Sequence, residues 1–124
     1  MEIRYPTPGR IWSTNDDRTM HWAVRSRLVR EWRDTTAIIA RMQKVQPQGP
    51  SIVTIDLRFS RNGRRDPMNY VGTCLKAAID GLVDAGVWPD DTPDWVEIRQ
   101  PNLIIGGPDE VVIRITPMHP ELSS

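Results

Sequence analysis

Cysteine is almost missing: Cys74 is the single one among 124 residues, so no intrachain disulfide can form and a reducing compartment is the simpler expectation. Long apolar runs are missing too. Nothing approaches the roughly 20 consecutive apolar residues that span a bilayer, and Met1-Glu2-Ile3-Arg4 does not open a signal peptide. The expected location is therefore the cytoplasm of a cell, with no membrane contact. There is also no internal repeat, no low-complexity tract and no net charge. A net charge of zero argues against a chain coated uniformly in nucleic acid.

The distribution of charge is another matter. Residues 1–65 hold 13 Lys and Arg against 6 Asp and Glu, whereas residues 66–124 hold 3 against 10, so the halves carry +7 and −7. Such asymmetry suits a basic surface for phosphate beside an acidic pocket for metal, or two halves that simply neutralise each other on folding. The length suits one domain, residues 1–124, able to bury a core but small enough to gain from dimerisation.

Along the chain, Glu2 to Pro6 reads as a first strand, ended by Pro6, Pro8 and Gly9. Gly9 to Thr19 is polar and reads as a loop, in which Ser13, Thr14 and Asn15 either meet a phosphate or form turns. Trp12, His21 and Trp22 flank it; an exposed indole can stack on a base, although tryptophan more often fills the edge of a core. Trp22 to Lys44 has helical spacing, with Leu28, Trp32, Ile39 and Met42 on one side and Val24 and Ile38 beside them. Its five arginines read as a solvated face. Ser51 to Phe59 alternates, with Val53, Ile55, Leu57 and Phe59 on one face and Ile52, Thr54, Asp56 and Arg58 on the other. Trp95–Arg99 and Glu110–Thr116 make two more strands, joined by a loop containing Gly106, Gly107 and Pro108, and Pro117 and Pro120 end the ordered part before fraying serines.

The stretch Arg64 to Asp91 organises the rest. Asp66 precedes Pro67 and is pushed to extended geometry, so a helix begins only near Met68 or Asn69, with Asn69 as its cap. Val71, Leu75, Ala78 and Leu82 give the apolar stripe, and Thr73, Lys76, Asp80 and Asp84 a polar one. Gly86 ends the helix and Pro89-Asp90-Asp91 turns the chain. The expected fold is α+β, a mixed sheet of about four strands with two packed helices, the central one a right-handed crossover between the 51–59 and 95–99 strands. Asp66 and Asp91 then lie at opposite ends of a helix, so in a shared site they come from different subunits or their loops bend back.

Three blocks in this stretch, Arg65-Asp66-Pro67-x-Asn69, Lys76-Ala77-Ala78-Ile79-Asp80-Gly81-Leu82 and Ala85-Gly86-Val87-Trp88-Pro89-Asp90-Asp91, resemble in order the core signature of RusA-type Holliday-junction resolvases. These are small, homodimeric, often phage-encoded endonucleases. The resemblance spans about residues 58–91, with a weaker likeness at Tyr5-Pro6 through Ser13-x-Asn15 and at the last strand. It implies a RusA-like fold, Mg²⁺ held by Asp66 and Asp91, a catalytic role for Lys76, and paired nicks in four-way DNA junctions during recombination and repair. A homodimer matches the two-fold symmetry of such a substrate.

Phosphodiester hydrolysis calls for an oxygen-rich cation site, and Asp66, Asp90 and Asp91 are the candidate ligands, with Asp80 behind them. Arg61, Arg64 and Arg65 of the basic turn, with Asn69 and Asn15, are the expected DNA contacts. Read without the resemblance, Asp-Pro and Pro-Asp-Asp are turn signals and Lys76 with Asp80 is a surface pair. Many members carry a second carboxylate two residues after the first, where this chain has Met68, a poor ligand for Mg²⁺. The interval from Asp66 to Lys76 is also longer than in those members. Two rival functions follow: a non-catalytic junction-binding protein, or an interaction protein whose carboxylates only cap turns.

Overall fold

The computed structural model describes residues 1–118; Pro120 and the terminal serines lie outside the described residues. The fold is α+β, with a mixed sheet of five strands: β1 (Glu2–Pro6), β2 (Ser51–Phe59), β3 (Val96–Ile98), β4 (Asn102–Ile105) and β5 (Glu110–Pro117). The helices are α1 (Thr14–Thr19), α2 (Trp22–Met42) and α3 (Lys76–Asp84), the last preceded by a 3₁₀ turn (Pro67–Tyr70) and a π turn (Val71–Leu75). Strand order is β1-β5-β2-β3, and β4 also lies along β2. β5 runs antiparallel to β1 and β2, while β3 and β4 are parallel to β2, as a crossover through α3 requires.

The fifth strand is the first departure from expectation, because the sequence pattern places 102–105 in a loop. Ser51 faces Val96 and Val53 faces Ile98, yet Asp56 faces Asn102, so this edge gains one residue between the two pairings. The surplus falls at Arg99-Gln100-Pro101, where proline has no N–H to give a ladder. One interrupted edge strand thus reads in sequence as a strand followed by a loop.

The alternation of β2 holds on the helix side, where Val53, Ile55, Leu57 and Phe59 are buried with Ile3, Tyr5, Val111, Ile113 and Ile115. The other face is not simply solvated. Asp56 lies on that outer face, as the alternation requires, yet is only 5% exposed. It accepts hydrogen bonds from Asn102 Nδ2 at 2.9 Å and from an Arg114 guanidinium nitrogen at 2.7 Å, so the buried carboxylate is paired on both sides.

On the covered face, α2 buries Leu28, Trp32, Thr36, Ala37 and Ala40. Ile38 and Met42, expected on or beside the apolar side, are exposed instead, because small residues, Ala37 and Ala40, take the contact with α3. Thr36 Oγ1 donates to the Trp32 carbonyl at 2.8 Å, which leaves it to accept from the Tyr5 hydroxyl at 2.6 Å and ties α2 to the sheet. Gly81 sets the crossing of α2 and α3: a Cβ there would lie 2.3 Å from the Arg33 carbonyl oxygen. Beside that contact the Arg33 guanidinium grips Asp84 through two bonds of 2.5 and 2.8 Å, and Arg41 donates to the Asp84 carbonyl at 3.0 Å.

These contacts make the glycines of the central stretch unequal. Gly81→Ala should destabilise the fold by about 1–3 kcal/mol, since helix backbone must move to admit a methyl group. Gly72→Ala, with no atom within 4 Å of the new Cβ, should be neutral or stabilising by up to about 1 kcal/mol through the unfolded chain. Urea unfolding of both variants checks the contrast, and equal destabilisation would contradict it.

Candidate active site

The segment leading to Lys76 is not one regular helix. Asp66 is extended, at φ −99° and ψ 119°, and caps the 3₁₀ turn by accepting from the Met68 N–H at 3.1 Å. The cap is therefore Asp66 and not Asn69: proline at the first position leaves the next N–H free for the preceding aspartate. The π turn then widens the helix before α3 begins at Lys76. A π turn takes in more residues than an α turn, so it absorbs the long interval between Asp66 and Lys76. It also changes which side chains face inward: Thr73, expected on the polar stripe, is buried with Cys74 and Leu75, while Val71 is only partly covered. Thr73 Oγ1 donates to the Trp12 carbonyl at 2.7 Å, which satisfies its hydroxyl inside the core. Burial pushes the Cys74 thiol up to about 12, so this cysteine is a packed apolar group with no thiolate at neutral pH.

At the far end of α3, Gly86 adopts φ +84°, the left-handed conformation that closes the helix. Val87 and Trp88 are buried. The Trp88 indole N–H lies 3.2 Å from both the Gly49 carbonyl and Ser51 Oγ, and the Gln48 N–H donates to the Val87 carbonyl at 2.8 Å. That anchor returns the chain along α3, so Asp91 ion-pairs with Lys76, fifteen residues earlier in sequence. Lys76 Nζ also donates to Asp80 Oδ1 at 2.8 Å. The loop bends back within one chain, and two carboxylates converge on one ammonium.

Lys76 and Asp91 hold each other ionised. Hydrogen bonds to Asp80, then Asp91, push the Lys76 ammonium above its ordinary range, and the bond from Lys76 holds the Asp91 carboxyl below the usual carboxylate range. A lysine held this way is a fixed cation and not a proton acceptor near neutrality. Asp90 is exposed and its Oδ1 accepts from the Asp91 N–H at 2.6 Å. Asp66 is not among the partners of Lys76; its carboxylate serves the cap. Among the described residues, no group of three or more His, Cys, Asp or Glu side chains is gathered closely enough to hold a metal ion.

The expected DNA contacts fall into a connected surface. Asn15 is exposed on α1, a short helix where the polar sequence predicts a loop; Ser13 caps it by accepting from the Asp16 N–H at 3.1 Å, while Asp16 accepts from the Ser13 N–H at 3.0 Å. Thr14 Oγ1 donates to the Asn69 carbonyl at 3.0 Å, so the turns bearing Asn15 and Asn69 touch. Arg61 and Arg64 are exposed. Arg65 lies over the Phe59 ring, its guanidinium carbon 4.0 Å from the centroid, with Tyr70 packed on the same ring at 5.8 Å. Phe59 and Tyr70 are buried and together support this arginine; the alternation of β2 places Phe59 in the core but carries no signal that its ring also bears Arg65. Phe59, Ser60, Arg61, Arg65 and Asp109 line an open recess of about 380 Å³.

Folding does not cancel the charge asymmetry. Every described Lys or Arg beyond residue 65, namely Lys76, Arg99 and Arg114, is in an ion pair. Arg18, Arg30, Arg41, Lys44, Arg58, Arg61, Arg64 and Arg65 make no ion pair among the described residues, and all lie in the first half; Arg41 and Arg58 donate to backbone carbonyls instead. The arginines of α2 largely follow the solvated-face reading, with Arg25 on Asp17, Arg27 on Glu31 and Arg33 on Asp84. No helix among the described residues is long and apolar enough to cross a membrane. No family model matches the chain, and no curated protein matches it.

The Lys76 pairings have opposite pH limits. Asp91, with its folded pKa depressed, contributes stability that is present above its unfolded value of 3.8 and lost as pH falls through the lower folded value. Lys76, with its folded pKa raised, contributes stability that is complete below 10.5 and lost as pH rises through the higher value. Because the groups are partly exposed, the pair is worth about 0.2–1 kcal/mol. Lys76→Met should therefore lie below the wild type by a constant small amount between about pH 5 and 10, with the gap closing on the acid side. Thermal unfolding across that range measures it; a gap that widens below pH 4 would count against the pairing.

Proposed function

We propose that this protein is a Mg²⁺-dependent, homodimeric endodeoxyribonuclease that resolves four-way DNA junctions by paired nicks, acting in the cytoplasm of its host cell. The observation that carries the reading is the return of Asp91 onto Lys76, which joins two of the three motif blocks at one cation position. Mg²⁺ is commonly bound by one or two carboxylates with water and substrate phosphate completing its shell. Asp91 and Asp80 fit that role as hard oxygen donors already converging on a cation, with Asp90 adjacent and Asp66 as the further ligand that the motif implies. An ion bound there supplies Lewis-acid chemistry, lowering the pKa of a water and offsetting charge that develops at phosphorus.

The chain's own residues supply the rest. Lys76, on a flexible four-carbon stem with a half-exposed side chain, remains charged and can leave its carboxylates for the scissile phosphate as a point charge. Arg61, Arg64 and Arg65, on the turn before Asp66, would hold flanking phosphates, with Arg65 oriented by Phe59. Asn69 and Asn15 extend that surface. The uncovered face of the sheet suits a second copy, since it presents the half-buried Ile52 and Ile104 among charges already paired with one another, Arg4 with Glu110 and Arg114 with Asp56.

A second reading, a junction-binding protein without catalysis, draws on the use of Asp66 as a cap and on the absence of a three-acid cluster among the described residues. Incubating a synthetic four-way junction and a linear duplex with the protein, with and without Mg²⁺, separates the two. Paired nicks in the junction that require Mg²⁺ are expected. Lys76→Ala should reduce cleavage by at least about 100-fold while changing junction affinity little, because one cation among several adds little to total phosphate attraction. Equal losses in both would move Lys76 to the binding surface.

Met68 provides a finer test. Its side chain is 56% exposed, so an aspartate there need not unfold the turn. Met68→Asp should lower the Mg²⁺ concentration for half-maximal cleavage, whereas Asp66→Asn and Asp91→Asn should raise it. Wild-type cleavage by both asparagine variants throughout a Mg²⁺ titration would remove Asp66 and Asp91 from the metal site.

A further inference from the structure

We propose that the His21–Trp22 step at the start of α2 is a stacking platform for an unpaired nucleobase of the bound DNA, an inference that rests on the DNA-binding reading above. Four of the five tryptophans are buried or partly buried, Trp12, Trp32 and Trp88 fully so, but Trp22 is 73% exposed. An indole left in water forgoes one of the larger apolar burials a side chain can make. Its ring is nonetheless held in place. His21 caps α2 by accepting from the Ala23 N–H through Nδ1 at 3.1 Å, and the imidazole lies against the indole, with centroids 5.5 Å apart and planes 31° from parallel. The result is a pair of flat rings ordered by a helix cap and open to solvent.

The surroundings select the occupant. Asp17 fixes the corner between α1 and α2 by accepting from the Arg25 Nε at 2.7 Å and from the Trp12 indole at 3.2 Å. Arg18, one of the cations with no ion pair among the described residues, stands three residues from Asn15 on α1, so the two share a face of that helix. α1 is six residues long, about 9 Å of rise, and its first turn is bonded through Thr14 to Asn69. Along the chain, Arg64 and Arg65 lead to Asn69, the Thr14 bond brings the turn of Asn69 to that of Asn15, and Asn15 and Arg18 precede the aromatic step by a few residues. A single indole beside arginines is too small for a stable protein interface, which takes about 800 Å² per partner. It is what a strand with its phosphates on arginines and a base turned outward would need. At the branch point of a four-way junction the continuous stacking of a duplex is interrupted, so a base there turns outward at lower cost than one inside a linear duplex.

The test uses the full chain with two probes, a single-stranded oligodeoxythymidylate and a synthetic four-way junction. Trp22→Ala should weaken binding to both by roughly 5- to 100-fold without altering the slope of log affinity against log salt, because stacking releases no counterions. Trp22→Phe should restore most of the affinity, and it should lack the tryptophan fluorescence quenching that DNA produces in the wild type. Arg18→Ala should instead reduce the salt slope. Wild-type affinity in Trp22→Ala, with junction binding intact, overturns the platform and leaves the nuclease reading standing. A wild type that binds neither probe at low salt overturns both. If sedimentation shows Trp22→Ala to be monomeric where the wild type is a dimer, a second copy covers the indole and the platform is likewise wrong.

Discussion

The buried hydrogen bond from Thr73 to the Trp12 carbonyl joins the irregular helix of the central stretch to the N-terminal segment, and the placement of both halves of the site follows from it. A threonine hydroxyl taken into a core must find an acceptor or cost about 1–3 kcal/mol. Trp12, itself buried against Trp32 in an edge-to-face pair, supplies one whose position is fixed. With Thr73 held inward, Cys74 and Leu75 follow it into the core and Lys76 emerges on the outer side. On the other strand of this connection, Trp12 leads directly into the Ser13 cap and α1, so the surface carrying Asn15 sits beside the turn carrying Asn69.

The return of Asp91 depends on a second anchor of the same kind. Trp88 is buried with its indole N–H shared between Gly49 and Ser51, at the entry to β2, so the acidic turn is referenced to the sheet and not to the helix it follows. Lys76 is referenced to the core through Leu75. The ion pair between them therefore closes a gap between two independently fixed points, which is why a partly exposed contact can still have a defined geometry.

Much of the architecture was legible because it rests on period-two and helical patterns. Val53, Ile55, Leu57 and Phe59 announced the central strand, and Gly86 the end of α3. What escaped were features decided by one residue more or less. β4 was hidden by the extra residue at Arg99–Pro101, and the π turn by an extra residue that leaves the apolar spacing nearly intact. α1 was hidden because it buries nothing and has no apolar period; its signal was the Ser13 to Asp16 capping box alone. At the site, Lys76, Asp90 and Asp91 were legible as a motif, but their meeting was not. It depends on where Trp88 is buried, and tertiary packing, not spacing, sets that.

Charge asymmetry in sequence need not survive folding, since opposite halves can neutralise one another. Here the pairing is unequal in kind. Arg33 with Asp84, Arg4 with Glu110, and Arg114 with both Glu2 and Asp56 cross between the halves, and they lie on α2 and on the uncovered sheet face. Of the cations left over, Arg61, Arg64 and Arg65 gather on the turn after β2, Arg18 stands on α1, and Arg30, Arg41 and Lys44 lie on α2 or just after it, whereas the second half's described bases are all engaged. Around Lys76 the balance is reversed: Asp80 and Asp91 leave one negative charge in excess of the ammonium they share, before Asp90 is considered. The unpaired cations and this acidic excess are thus kept on separate parts of one small fold. In the nuclease reading proposed above, a phosphate approaching Lys76 would meet that excess negative charge, and a cation arriving with it would offset the repulsion.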